Sequence, residues 1–213
     1  MKERGMIFNA EMVRAILDGR KTQTRRPVKL PVHDKNLGCE LAGNELAGEL
    51  SAGNYLNSAF GKPGDRIWVR ETFRVHSRAT DVATLVYKAS VRNSWTEQTH
   101  RVPVSVCNKP ATPEKWTPSL HMPRWASRIL LEITDVRVER LNAISEEDAR
   151  AEGIIDGGCL NCGEPEPCGC ANPEPDATDA FAYLWQSIYG QENWNANPWV
   201  WVISFKRVEG GAA

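Results

Sequence analysis

Five segments of alternating apolar and polar residues constrain the fold of this chain most strongly. The alternation is clearest at 128–140, and weaker versions occur at 66–76, 82–89, 101–106 and 199–208. A period of two is typical of a strand that buries one face. Because these segments outnumber the predicted helices, the sequence predicts an α+β protein with a small mixed-sheet or barrel core and short helices around it.

Three segments carry the signals of short helices. Asn9 can cap an apolar stripe that ends before Gly19. Ser145 starts a capping-box pattern, and residues 178–189 place large apolar side chains on one face. The segment 34–60 lacks such a pattern, so we expect an inserted loop with little secondary structure. A length of 213 residues predicts a single domain over 1–213.

Positive and negative charges are divided along the chain. The first 130 residues carry 21 Lys and Arg against 12 Asp and Glu, whereas the rest carry 5 against 15. Such a basic region favours a polyanion or a phosphate as ligand, although the two halves could also neutralise each other within one fold. The chain has neither a long apolar run nor a signal-peptide pattern, so we expect a cytoplasmic protein with reduced cysteines and no membrane partner.

Glu71 interrupts the apolar face of the strand predicted at 66–76. Alternation places it on the same face as Ile67, Val69 and Phe73. A carboxylate on a core-facing strand is costly unless it meets a cation or a hydrogen-bond donor. Glu71 is therefore a candidate functional residue, and a structural ion pair or an exposed edge strand would also explain it.

The opposite face of the same strand carries Trp68, Arg70 and Arg74. An indole and two guanidinium groups in a row can lie under a phosphate backbone. The same residues could equally form a solvated surface.

A proline-framed loop at 118–125 brings together His121, Arg124 and Trp125. They offer a hydrogen-bond donor, a phosphate-binding fork and a stacking plane, which together can hold an unstacked base. The alternative is that Trp125 packs in the core and Arg124 pairs with one of the C-terminal acids.

Four of the six cysteines lie within 12 residues. They are Cys159, Cys162, Cys168 and Cys170. Four thiolates suit a tetrahedral Zn²⁺ and leave no ligand position for a catalytic water, so we predict a structural zinc loop at 156–175. The Cys-x-Cys end departs from the usual spacing, and reduced or disulfide-bonded cysteines are the alternative.

The segment after the first helix combines cations and hydroxyls, including Lys21 and Thr24. In a turn these two side chains can converge, whereas in an extended strand they point to opposite faces. Cation clusters are usually solvated or bind phosphate. A lysine desolvated beside a carboxylate can nevertheless activate a hydroxyl or a water.

This segment resembles the signature of the ASCH domain family, which is related to the PUA fold. The family pattern Gly-x-Lys-x-x-Glu-x-Arg falls on Gly19, Lys21, Thr24 and Arg26, and Thr24 stands where many members have Glu. The resemblance continues at Pro63-Gly64-Asp65, at Ser145–Ala149 and in the closing strand. Within the family, His121–Arg128 is most similar to a phage or prophage-encoded group.

The resemblance implies a small PUA-like β-barrel with flanking helices and a cleft for RNA or a modified nucleoside. Some members are amidohydrolases that remove the acetyl group of acetylcytidine, and their triad falls on Lys21, Thr24 and Glu71. Thr24 would be the nucleophile, Lys21 the base or an electrostatic stabiliser, and Glu71 the group that orients it. Other members bind or cleave RNA, so an RNA-binding module and a single-strand ribonuclease are the alternatives. The candidate nucleic-acid-binding residues are Arg26, Trp68, Arg70, His121, Arg124 and Trp125.

Overall fold

The computed structural model describes residues 1–155 and 177–208. The strands in this part of the chain are β1 (Glu3–Ile7), β2 (Gln23–Pro27), β3 (Val32–His33), β4 (Glu40–Leu41), β5 (Arg66–Arg70), β6 (Phe73–Arg78), β7 (Val82–Tyr87), β8 (Thr99–Pro103), β9 (Leu130–Arg140) and β10 (Trp199–Arg207). The helices are α1 (Ala10–Leu17), α2 (Gly43–Ser51), α3 (Trp95–Gln98), α4 (Glu146–Ala151), α5 (Ala177–Tyr189) and α6 (Gln191–Asn195). None of them is long and apolar enough to cross a membrane.

The described strands form three sheets, which confirms the α+β class. Their orders are β1-β5-β9-β10-β2, β6-β7-β8 and β3-β4. β1 runs parallel to β5, whereas β9 pairs with β5 and β2 pairs with β10 in antiparallel fashion. The small closed barrel implied by the resemblance is not formed by the described strands. The five-stranded sheet is open, because its edge strands are β1 and β2. Strands β6, β7 and β8 form a separate sheet.

The chain divides into two compact units. Unit 1 comprises Met1–Gly19, Gly64–Glu132 and Lys206–Ala213, and unit 2 comprises Arg20–Pro63 and Ile133–Phe205. The core of unit 1 contains Phe73, Val75, Ala83, Leu85, Tyr87, Val102, Cys107, Met122 and Ala126. The core of unit 2 contains Leu141, Ala149, Ala177, Phe181, Trp185, Val200 and Val202.

Helix α1 forms as the sequence predicts. Asn9 Oδ1 accepts a hydrogen bond from Met12 N at 2.8 Å, which satisfies one of the free N–H groups of the first turn. Val13 and Ile16 are buried on its apolar face. Gly19 has a φ of +77°, a left-handed conformation that ends the helix and that glycine adopts without strain.

The strand predicted at 66–76 is two strands in two sheets. β5 ends at Arg70 and β6 begins at Phe73, so the chain leaves the large sheet at Glu71 and Thr72. The predicted burial pattern is nevertheless confirmed, because Ile67, Val69, Glu71 and Phe73 are all buried. The alternation of buried and half-buried side chains continues from β5 into β6, although the two strands belong to different sheets. The sequence pattern does not indicate this change of sheet.

The expectation of a loop with little secondary structure at 34–60 is wrong, because the segment contains β4 and α2. Leu46 and Leu50 of α2 are buried, and Glu45 Oε2 accepts the Ala42 N–H at 2.8 Å. Helices of this length depend on packing more than on intrinsic propensity. The burial of two leucines therefore stabilises a helix that composition alone did not indicate.

Candidate functional site

Lys21 lies buried in an ion pair within unit 2. Its Nζ is 2.6 Å from Glu152 Oε2 and also donates to the Glu152 backbone oxygen at 2.8 Å. The two residues form a β-bridge as well, so backbone and side chain join the same pair. Burial lowers the pKa of Lys21, although the Glu152 carboxylate opposes this shift.

A cluster of ion pairs centred on Arg25 and Arg137 lies next to the Lys21–Glu152 pair. Arg25 Nη2 contacts Glu139 at 2.6 Å and Asp148 at 2.8 Å, and its Nη1 lies 3.4 Å from Glu152 Oε1. Arg137 binds Asp148 at 2.8 Å and Glu139 at 3.2 Å. Burial acts to raise the pKa of Asp148, but Arg137 and Arg25 outweigh it and hold this pKa below its usual range. Cations of the basic N-terminal part are thus neutralised by acids of the C-terminal part within unit 2.

Thr24 lies on β2 with a buried hydroxyl. Its Oγ1 has no hydrogen-bond partner among the described residues. Side chains alternate along an extended strand, so Thr24 and Arg25 lie on opposite faces of β2. The amine of Lys21 shares the Glu152 carboxylate with Arg25. Within unit 2 the structure therefore brings Lys21 to Glu152 and Arg25, whereas the Thr24 hydroxyl has no contact with the amine.

Glu71 lies in unit 1, where it pairs with Arg128. Arg128 Nε donates to Glu71 Oε1 at 2.9 Å and Nη2 to Oε2 at 3.1 Å. Nη2 also donates to Ser90 Oγ at 2.8 Å and Nη1 to the Glu97 backbone oxygen at 3.2 Å. The guanidinium lies 4.0 Å from the centre of the Tyr87 ring. Burial raises the pKa of Glu71, and Arg128 opposes the rise. The structural ion pair foreseen as the alternative for Glu71 is therefore present.

Sequence reasoning missed both partners, Arg128 and Glu152. They lie 57 residues from Glu71 and 131 residues from Lys21, respectively. Helical or strand spacing relates only near neighbours, so neither pair has a local signal. The division of charge along the chain favoured pairing of the Lys21–Glu152 kind, and the apolar strand face around Glu71 left an ion pair there as an alternative, but neither feature identified the partner.

Three arginines of β5 and β6 in unit 1 form hydrogen bonds to a long loop. Arg70, Arg74 and Arg78 each donate to backbone carbonyl groups of the segment 107–120. The acceptors are Cys107 and Lys109 for Arg78, Pro113 for Arg74, and Ser119 and Leu120 for Arg70. Because a carbonyl oxygen carries no net charge, these contacts leave the three positive charges unneutralised.

Two of these arginines also lie over indole rings. The Arg70 guanidinium is 5.5 Å from the Trp68 ring centre, and that of Arg74 is 4.7 Å from the Trp116 ring centre. Trp68 packs on Gly5 of β1, where a β-carbon would lie 2.6 Å from the indole. The absence of a side chain at Gly5 therefore allows the indole to lie against the strand.

The three candidate residues of the proline-framed loop at 118–125 have different surroundings in the structure. His121 is exposed at the end of a short 3-10 turn, directly after the carbonyls that Arg70 holds. Arg124 Nε lies 3.0 Å from Glu3 Oε2, so its partner is an N-terminal acid. Trp125 packs edge-on against Phe73 at 6.4 Å and joins the core of unit 1. Trp125 is therefore a packing residue, as the alternative had it.

Arg26 belongs to unit 2. Arg26 is half-buried on β2 in unit 2, opposite Trp201 of β10. The predicted zinc ligands fall outside the described residues. They are Cys159, Cys162, Cys168 and Cys170. Within residues 1–155 and 177–208, no group of three or more His, Cys, Asp and Glu side chains could hold a metal ion.

Comparisons with family models, with curated proteins and with solved structures give no match for the chain. The resemblance to the ASCH domain family thus stays a prediction from sequence motifs.

Proposed function

We propose that the protein binds single-stranded RNA through a surface of unit 1 that we name the arginine face. The arginine face consists of Trp68, Arg70, Arg74, Arg78 and Trp116. The observation that carries the proposal is that its three arginines contact neutral carbonyl groups of the 107–120 loop. Their charge is therefore available to phosphates, which supply most of the affinity of such complexes.

The remaining donors of these arginines suit a flexible strand. A guanidinium has five N–H donors, and the contacts of Arg74 and Arg78 to the loop use Nη1 alone. The Arg70 and Arg74 guanidinium groups lie over the indoles of Trp68 and Trp116 and, like those rings, offer planes on which unpaired bases stack. A duplex hides its base faces, so this combination favours a single strand.

A fluorescently labelled single-stranded RNA of mixed sequence tests the proposal. We expect binding that weakens with added salt, with log K falling against log salt at a slope of roughly −0.7 for each phosphate neutralised. The control is Arg20→Gln, because Arg20 lies in unit 2 and also donates to a backbone carbonyl, that of Gly153 at 2.9 Å. Absence of binding at low salt, or equal weakening by Arg20→Gln and Arg78→Gln, would contradict the proposal.

We also propose that this α+β fold is a PUA-like fold of the ASCH type. It is supported by the order of the matching motifs, since Gly19–Arg26 follows α1, Ser145 caps α4 and β10 is the closing strand. A crystal structure that includes residues 156–176 would test it through closure of the β1-β5-β9-β10-β2 sheet into a barrel. A sheet that stays open in the whole chain would remove the assignment.

A second candidate function is hydrolysis of an acylated cytidine-like base. It is favoured by the burial that lowers the pKa of Lys21 and by the unpaired hydroxyl of Thr24. In this mechanism Thr24 Oγ1 attacks the amide carbon and passes its proton to neutral Lys21. Lys21 then protonates the departing amine, and water hydrolyses the resulting ester. Lys21 and Thr24 are at most 2% exposed, and Lys21 Nζ is bound to Glu152. Substrate entry and proton transfer from Thr24 to Lys21 therefore both require side chains to move.

Acetylcytidine hydrolysis by the wild type and by Lys21→Ala, Thr24→Ala and Glu71→Ala tests this second candidate. We expect strong loss in all three variants if the triad acts as the resemblance implies. Turnover unchanged in all three variants would remove the mechanism without touching the RNA-binding proposal. Cleavage of the RNA probe without added metal would instead favour the ribonuclease.

We also propose a structural zinc ion bound by Cys159, Cys162, Cys168 and Cys170. Four closely spaced cysteines support it, and thiolates of this kind persist in a reducing compartment such as the cytoplasm. One zinc per chain is expected by elemental analysis, with release by a strong chelator. Metal-free protein of unchanged stability would contradict the proposal.

A further inference from the structure

A groove in unit 2 takes no part in the proposed RNA-binding surface. Its volume is about 860 Å³, and its walls include Leu30, Leu41, Glu40, Arg140 and Trp199. Pockets of roughly 300–1,000 Å³ with apolar walls and a few polar groups are typical of small-molecule sites. The groove therefore has the size and the mixed lining of a ligand site.

Arg140 is held in one orientation at this groove. Its guanidinium lies 4.4 Å from the centre of the Trp199 ring, and Nη1 donates to the Asn197 backbone oxygen at 3.0 Å. Asn197 has a φ of +47°, in the left-handed region that non-glycine residues rarely adopt. Its Oδ1 accepts the Asn142 N–H at 2.9 Å, which fixes that conformation. An unusual backbone conformation thus positions the carbonyl that orients the arginine, and such conformations cluster at functional sites.

Trp199 is fixed by a second contact. A β-carbon at Gly43 would lie 2.3 Å from the indole, so the backbone of α2 packs directly against the ring. Gly43 is buried by this contact. The indole beneath Arg140 is therefore a rigid support, and a preorganised guanidinium loses little entropy when it binds an anion.

The charges that line the groove are of both signs. Arg140 supplies the cation, and the exposed Glu40 supplies a carboxylate. The other acid, Glu45, already accepts the Ala42 N–H. Leu30 is 52% exposed and offers an apolar wall to a ligand. One fixed cation, one carboxylate and an apolar wall are complementary to a molecule that carries both charges on an apolar body.

We propose that this groove binds a small zwitterion with an apolar body, of the class of free hydrophobic amino acids. The ligand carboxylate binds the Arg140 guanidinium, its ammonium group binds Glu40, and its apolar side chain lies against Leu30 and Leu41. The proposal is independent of RNA binding, because no residue of the arginine face takes part in it.

Three probes separate the contributions of the two charges in calorimetric titrations of the full chain. They are L-phenylalanine, 3-phenylpropanoate, which lacks the ammonium group, and 2-phenylethylamine, which lacks the carboxylate. We expect L-phenylalanine to bind most tightly. Arg140→Gln should weaken L-phenylalanine and 3-phenylpropanoate by about 10-fold or more and leave 2-phenylethylamine unchanged. Glu40→Gln should weaken L-phenylalanine and 2-phenylethylamine and leave 3-phenylpropanoate unchanged. Arg20→Gln should change none of the three affinities.

Two results with the wild type and Arg140→Gln would overturn the proposal. One is no heat of binding for L-phenylalanine at concentrations up to about 10 mM. The other is equal weakening of all three probes by Arg140→Gln, because that would show collapse of the groove and not loss of a charge contact. Leu30→Asp provides a second variant that should still fold, since Leu30 is half exposed. It should weaken L-phenylalanine by removing the apolar wall, and unchanged affinity would also contradict the assignment.

Discussion

The carboxylate of Glu71 and the guanidinium of Arg128 meet at two points, with Nε 2.9 Å from Oε1 and Nη2 3.1 Å from Oε2. The Glu71 side chain is 2% exposed and that of Arg128 is 12% exposed. Two-point pairing of this kind compensates much of the cost of burying a carboxylate in a core. The charge of Glu71 on the apolar strand face is therefore compensated by Arg128 within unit 1, and no ligand is needed for this.

Removal of Arg128 should strongly destabilise the protein. Arg128→Gln leaves the Glu71 carboxylate buried without its cation, and we expect a loss of about 3–5 kcal/mol in the free energy of unfolding. Urea unfolding monitored by circular dichroism measures the difference. The matched control is Arg124→Gln, which breaks the exposed pair with Glu3 and should cost about 0–1 kcal/mol. Equal losses in the two variants would contradict a structural role for the Glu71–Arg128 pair.

The double variant Glu71→Met with Arg128→Met sharpens this test. Replacing both charges by apolar groups removes the desolvation cost together with the attraction. The double variant should recover most of the stability that Arg128→Gln loses. A loss equal to or larger than that of the single variant would mean that the contacts of Arg128 to Ser90 and Glu97 dominate.

Lys21 should make the stability of the protein increase with pH between its lowered pKa and the pKa of a lysine in the unfolded chain. Burial lowers the pKa of Lys21 in the folded state, whereas the unfolded chain keeps that proton up to about pH 10.4. Between the lowered pKa and about pH 10.4 the unfolded state binds more protons, so the free energy of unfolding rises with pH.

The comparison of the wild type with Lys21→Met isolates this effect. Lys21→Met removes the titrating amine, and Glu152 keeps Arg25 as a partner. Urea unfolding at several pH values from about 7 to about 10 should show the wild type gaining stability relative to Lys21→Met. Parallel curves for the two proteins would show that the Lys21 pKa is not lowered.

Charge and stacking should contribute separately to RNA binding by the arginine face. Arg74→Gln removes one cation, so the slope of log K against log salt should become shallower by roughly 0.7. Trp68→Leu removes a stacking plane and should cost about 1–3 kcal/mol of binding free energy while the slope stays unchanged. Thermal melts of both variants check that the fold is retained. A Trp68 variant with wild-type affinity would exclude stacking on this indole.

Two glycines of α2 should respond to alanine in opposite directions. Gly43→Ala places a β-carbon 2.3 Å from the Trp199 indole, and we expect a loss of about 1–3 kcal/mol in the free energy of unfolding. A β-carbon at Gly48 has no neighbour within 4 Å, so Gly48→Ala should stabilise the helix by roughly 0.5–1 kcal/mol. Urea unfolding of both variants tests the pair. Stabilisation by Gly43→Ala would contradict the packing of Gly43 on Trp199.

The sequence predicted α1, α4 and the alternation around Glu71, because their signals come from near neighbours, whereas it missed α2, which depends on packing. Asn9 caps α1 and Ser145 caps α4, as their spacing from the following backbone N–H groups predicts. The alternation around Glu71 also predicted which side chains are buried. These features depend on residues two to four positions apart, and helical and strand geometry relates such residues whatever the rest of the chain does.

By itself, then, the sequence determined the α+β class, the capped helices and the alternation that places Glu71 on one face with Ile67, Val69 and Phe73. Only the tertiary structure decided that Glu71 pairs with Arg128, that Lys21 pairs with Glu152 and that Trp125 packs in a core. These contacts join residues 57, 131 and 52 positions apart in the chain, the last being Phe73 and Trp125. No local period relates such residues, because their meeting depends on how whole strands and helices pack and on which partner best compensates each buried charge.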